Sequence, residues 1–177
     1  MKTRSALVSL ALVLAQPFAA AAEPPAKPAP SLYQQGLAAV EAGDPVLAEA
    51  CFTKALQQDP NNANAKVMLD EVKRNAPSIA AKGREAKFGR VMIPSLQLDG
   101  ATVKESVEVI AKLVARETKD QISANFIVDD PKGSLDAKTI TLKLTNIPAK
   151  AALEYVLSQV GAKARFDEHA IVIVPRA

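Results

Sequence analysis

The sequence predicts an α+β protein: an N-terminal helical hairpin followed by a small sheet-and-helix unit. Three observations carry that expectation. Apolar residues recur at helical spacing between 31 and 74, the pattern turns extended and alternating from Val91, and two more helical stripes interrupt the later strands. Hydrophobic residues make up 49 % of the 177, enough for a core, but aromatics are 4 % and tryptophan is absent, so alanine, valine and leucine must do most of the packing.

Residues 1–22 read as an export signal. Lys2 and Arg4 form a basic start, Ala6 to Ala15 is an apolar run broken only by Ser9, and Ala20, Ala21 and Ala22 offer small residues before Glu23. The run is too short for a permanent membrane span. The formal charge of +3 includes Lys2 and Arg4, so the mature chain carries +1, a balance that argues against nucleic-acid binding. No later stretch reaches spanning length, and the mature protein is expected to be exported, periplasmic or outer-membrane associated. The single cysteine, Cys51, cannot form an internal disulfide and lies far from the signal exit, so no lipid anchor is expected. Its place in an apolar stripe suits a buried thiol, with a reactive one as the alternative.

Residues 23–30 (EPPAKPAP) are a proline-rich spacer. The segment 31–76 is expected to be helical. A first helix runs from Ser31 to Ala42 and stops at Gly43; Asp44 caps a second, with Pro45 at its first position. Leu47, Ala48, Cys51, Phe52, Ala55 and Leu56 stripe one face of that helix, which ends near Pro60. A third helix, Ala63 to Arg74, turns Val67, Leu69 and Val72 toward the pair. Residues 77–90 are expected to form a linker, where Lys82, Arg84, Lys87 and Arg90 make a basic run interrupted by Glu85. Such a run is usually a solvated helix or linker, though it could also touch anionic lipid or nucleic acid.

In residues 91–176, Ile93, Leu96 and Leu98 mark an extended segment that Pro94 either weakens or places at a sheet edge. Thr102 and Glu105 form a capping box for a helix striped by Val103, Val107, Ile110 and Val114. Phe126 to Val128 is a short strand. Thr139 to Leu144 alternates, with Ile140, Leu142 and Leu144 inward. Pro148 opens a helix that buries Ala149, Ala152, Leu153, Val156, Leu157 and Val160 and closes at Gly161. Strands Lys163–Phe166 and Ala170–Val174 follow, joined by a tight turn at Asp167, Glu168 and His169.

Two resemblances arise from these residues. Gly36, Gly43, Ala48, Phe52, Ala55 and Pro60 sit at the mutual spacing of a tetratricopeptide (TPR) repeat: small residues where two helices cross, an aromatic wedge, a closing proline. Ala39 departs from the aromatic usual at its position, and the large residue near the start is Leu32 or Tyr33. Only one repeat is visible where about three normally bury a continuous core, so a generic helical hairpin is the alternative. The second resemblance spans Val91 to Pro175. Leu96 and Leu98, then Thr141, Leu142, Leu144, Asn146, Pro148, Ala152 and Leu153, and finally the strand from Ala170 to Pro175, follow in the order of the short N-terminal (STN) module of secretins and TonB-dependent transporters. The expected fold is thus a TPR-like α-hairpin plus a small βαβ-βαββ STN-like domain. The stretch Glu117 to Lys138, with its loop DDPKGSLDAK, is longer than the module's pattern, and another family of the same strand-and-helix order is the alternative.

The resemblance implies a role in docking: in secretins the module contacts inner-membrane machinery, and in transporters it relays a signal to a regulator. No barrel sequence follows Pro175, so the expectation is a partner of such an assembly and not the channel itself. Nothing in the sequence assembles into a catalytic set. His169 is the only histidine, and Asp129, Asp130 and Asp136 lack calcium-loop spacing. No enzyme activity, cofactor or metal is expected. The expected partners are envelope proteins, a secretin or another outer-membrane assembly, with no nucleic acid and no stable membrane insertion; oligomerisation is left open. Tyr33 and Leu37 are the candidate partner-binding residues. A periplasmic signalling module is the second reading, and an enzyme of unusual chemistry a distant third.

Overall fold

The computed structural model describes residues 30–176. The expected signal segment, and the proline-rich spacer except Pro30, lie outside the described residues. The fold is mixed α+β, with five helices and five strands among the described residues.

Helix α1 (Leu32–Glu41) opens at Ser31 with a capping box: the Gln34 amide donates to the Ser31 hydroxyl at 3.2 Å, and the Gln34 side chain accepts from the Ser31 amide at 3.0 Å. Gly43, at φ +70°, makes the left-handed exit. Asp44 then caps α2 (Pro45–Gln58), accepting from the Leu47 amide at 2.9 Å, with Pro45 in the first turn as its sequence suggests. Ala48, Cys51, Phe52 and Ala55 are buried, whereas Leu47 is 51 % exposed. The buried face is centred on 48, 52 and 55, and Leu47 sits one residue, about 100°, off that line.

The third helix is longer than its sequence suggests. Helix α3 (Ala63–Gly89) runs through Pro77 for 27 residues, where a stop at Arg74 and a linker over 77–90 are expected. A proline inside a helix forfeits one backbone bond and crowds the preceding turn. Pro77 does so on the exposed side, while Val72, Ile79, Gly83 and Phe88 fix the helix on both sides of it. Tertiary packing overrides the local signal. The inward residues also differ: Ala65, Met68, Leu69 and Val72 face the hairpin at i, i+3, i+4 and i+7 spacing, and Val67 is 61 % exposed.

The remaining elements alternate. Strand β1 (Met92–Thr102) leads into α4 (Val103–Thr118), β2 (Phe126–Val128), β3 (Thr139–Pro148), α5 (Ala149–Gln159), β4 (Ala162–Phe166) and β5 (Ile171–Pro175). β1 and β3 form an antiparallel pair, with a bulge between Leu98 and Ala101 where Gly100 takes φ +62°. β2, β5 and β4 form a second sheet in that order; β2 runs parallel to β5, and β4 antiparallel to it. The stripes Val103, Val107, Ile110 and Val114 of α4 and Ala149, Ala152, Leu153, Val156 and Leu157 of α5 are buried, joined by Ile93, Leu96, Leu98, Ile140, Ile171 and Ile173 in one core. Thr102 caps α4 with Glu105 in the reciprocal arrangement its sequence anticipates.

α3 belongs to both parts. Val72 lies in the small core with Ala39, Ala48 and Phe52, and Phe88 lies in the large one, its ring 6.1 Å from that of Phe126 and 5.8 Å from that of Phe166. Arg84 donates to the Glu168 carbonyl at 2.9 and 3.2 Å and to the Ser123 carbonyl at 3.4 Å. The Glu85 carboxylate meets the Lys150 ammonium at 2.6 Å.

Candidate docking surfaces

Several of the titratable side chains are held in local contacts. Asp167 holds Arg165 through two bonds of 2.9 and 3.0 Å, which keeps its carboxyl below the usual range and raises the guanidinium. The His169 side chain is 84 % exposed at the turn, its Nε2 3.7 Å from a Glu168 oxygen. Asp130 organises the loop after β2: it accepts from the Leu135 amide at 2.6 Å and the Ser134 hydroxyl at 3.0 Å, seating Leu135 in the core. Cys51 is a buried free thiol. Among the described residues no three His, Cys, Asp or Glu side chains gather in a way that could hold a metal, and no helix is long and apolar enough to cross a membrane.

Tyr33 and Leu37, the candidate partner-binding residues, are half-buried on α1 and pack against the small core. The Tyr33 ring lies 5.7 Å from that of Phe52, so much of its face is already used within the hairpin. The geometry thus gives both residues a packing role and leaves only part of each on the surface.

More main chain is on offer at the sheets. Each of β1 and β3 has a single neighbour, and in the three-stranded sheet β2 and β4 are the edges. The direction of their free groups follows from the bonding. The Ile171 amide donates to the Asn125 carbonyl at 2.7 Å, and the Asp129 amide to the Ile173 carbonyl at 2.8 Å. Asn125, Ile127 and Asp129 therefore face β5, which turns the amides and carbonyls of Phe126 and Val128 outward. On the other edge, the Arg176 amide donates to the Gly161 carbonyl at 2.8 Å and the Asp167 amide to the Ala170 carbonyl at 2.9 Å. With the observed register, Lys163 and Arg165 bond to β5, and the backbones of Ala162, Ala164 and Phe166 point away from it.

Each of these edges borders a groove. One of 590 Å³ lies between β4 and α5, lined by Tyr155, Leu157, Ser158, Ala164 and Phe166 among others. One of 400 Å³ lies between β2 and α4, lined by Lys104, Val107, Glu108, Ala111, Phe126 and Val128. Sequence reading finds the strands but not which of them are edges, because pairing order is a tertiary property; nor does it find Arg84, whose basic neighbours disguise it as part of a solvated run.

The elements and their exposed edges define a mixed α+β protein with groove-bordered strands. No protein-family model, curated protein or solved structure matches the chain.

Proposed function

We propose that this chain is a non-enzymatic adaptor of the bacterial envelope, exported to the periplasm, that docks onto a secretin or another outer-membrane assembly. The observation that carries the reading is the three-stranded sheet whose edge strands β2 and β4 keep outward-facing main chain beside grooves, the arrangement that strand addition by a partner requires. The order β-α-β-β-α-β-β over residues 92–175 is that of the STN-like pattern. The hairpin supports its TPR-like reading through Gly36, where a Cβ would lie 2.5 Å from Phe52 Cε1, so the glycine admits the aromatic wedge.

The test is in-cell photo-crosslinking of the full chain from Tyr33, Ile127 and Tyr155, with fractionation and N-terminal sequencing of the product. The expected result is a periplasmic chain beginning near Glu23 and adducts with a subunit of an outer-membrane assembly. Retention in the cytoplasm, or no envelope adduct from any position, removes the reading. Adducts confined to an anti-sigma regulator or a TonB-dependent transporter select the signalling role instead.

A further inference from the structure

The edge strands differ in what they do to discourage pairing. β1 carries Pro94 and the Gly100 bulge, β3 is interrupted by Asn146 at φ +50° and ends on Pro148, and β2 is only three residues long with no charge. β4 is a full-length edge of five residues whose outward main chain, at Ala162, Ala164 and Phe166, meets the larger groove. Its side chains alternate: Ala162, Ala164 and Phe166 turn toward the core, and Lys163 and Arg165 are exposed on the opposite face.

The charges along this edge are uneven. At the Gly161 end, Lys138 donates its ammonium to the Val160 carbonyl beside Gly161, and Lys163 and Arg176 line the groove. None of the three takes part in the ion pairs found among the described residues. At the Phe166 end, Asp167 neutralises Arg165, Glu85 neutralises Lys150, and Glu154 stands 4.0 Å from the same ammonium. One end is cationic and the other balanced to slightly anionic.

From this asymmetry we propose that the β4 edge binds an extended segment of a partner protein that carries acidic side chains at the Gly161 end and an apolar residue facing Tyr155. The partner's backbone bonds Ala162, Ala164 and Phe166, and its carboxylates face Lys163 and Arg176 across the strand. A second copy of this chain is the competing occupant: antiparallel pairing about Ala164 sets Lys163 of one copy opposite Arg165 of the other, a charge that Asp167 already balances, so dimerisation through β4 without added peptide overturns the proposal. The inference deepens the adaptor reading and rests on it, naming the surface and the chemistry of the segment it takes.

The experiment uses the full chain, labelled with nitrogen-15, and two synthetic peptides: one alternating glutamate with valine, the other lysine with valine. The glutamate peptide is expected to move the amide resonances of Ala162, Ala164 and Phe166 and to bind about fivefold more tightly than its lysine counterpart at low salt. The double variant Lys163→Glu with Arg176→Glu, both at exposed positions, is expected to reverse that preference. Ala164→Pro removes an outward amide that β5 does not use and is expected to abolish binding with the β4–β5 ladder intact; thermal unfolding and the β5 resonances report whether it has folded. Indifference to peptide charge, or shifts centred on Phe126 and Val128, on β1 or on β3, overturns the proposal. Envelope crosslinks that persist when both peptides fail sink the β4 site and leave the adaptor reading standing; peptide binding at β4 without any envelope adduct does the reverse.

Discussion

Gly83 sits inside a helix, and replacing a helical glycine with alanine ordinarily stabilises a protein by about 1 kcal/mol, because the unfolded chain loses freedom and the helix gains a good former. Here the sign should invert. A Cβ on Gly83 lies 2.5 Å from the Gly43 Cα and 2.6 Å from its carbonyl oxygen, well inside van der Waals contact. Gly43 cannot retreat cheaply: it holds φ +70° in the short turn between α1 and α2, and the obstacle is backbone, not a side-chain tip. Overpacking at such a crossing costs about 3 kcal/mol, the upper part of the usual range, which leaves Gly83→Ala about 2 kcal/mol less stable than the parent. For a chain of this size that lowers the melting temperature by about 4–8 °C. Gly89 is the internal control. It lies on the same helix, but its Cβ would meet Lys150 Cβ at 3.6 Å, an ordinary contact, so Gly89→Ala should be neutral or slightly stabilising. Urea unfolding followed by circular dichroism separates the two. A Gly83→Ala chain as stable as the parent would refute the claim that α3 and the α1–α2 turn meet backbone to backbone.

Leu135→Ala empties the one buried position of the loop that Asp130 organises and is expected to cost about 2–4 kcal/mol in chemical denaturation. Arg84→Met keeps the aliphatic stem but removes the bonds to the Glu168 and Ser123 carbonyls; a loss of about 1–2 kcal/mol and weaker hydrogen-exchange protection across the β4–β5 turn are expected. The α4 cap depends on pH. The backbone amide and then the hydroxyl of Thr102 hold the Glu105 carboxyl below its ordinary 4.5, so its contribution is present above that value and fades as pH falls through the lower folded one. Glu105→Gln, which can close the same box without titrating, should flatten the dependence of stability on pH in the acid range; an unchanged slope would show that the cap does not titrate with folding.

Legibility in the sequence followed the range of each interaction. The α4 and α5 stripes, the Thr102 box and the Gly43–Asp44–Pro45 turn depend on residues a few positions apart, so spacing alone places them. α3 was not legible beyond Arg74, because the reason it survives Pro77 lies far along the chain: Gly43 under Gly83, Phe126 and Phe166 around Phe88, Lys150 opposite Glu85. Leu135 is the same case, a lone apolar residue in a polar loop whose burial depends on an aspartate clamp. The candidate site divides likewise. Alternation in β4 is written locally, but that its far edge is free follows only once β5 is seen between β4 and β2.

The position of α3 bears on how the parts behave together. The core that the hairpin shares with α3 centres on Ala39, Ala48, Phe52 and Val72, and its other buried members, Cys51, Ala55 and Ala65, are small, a modest set to order three helices on its own. Stacked repeats solve that problem with neighbours; here α3 supplies the neighbour by continuing into the larger core, where Phe88 is anchored. The hairpin is thus stabilised from the α+β side, through one helix, one glycine crossing and the Arg84 bonds. Glu85, on that same helix, forms the wall of the β4 groove through Lys150. One helix thus both holds the hairpin in place and walls the groove beside β4.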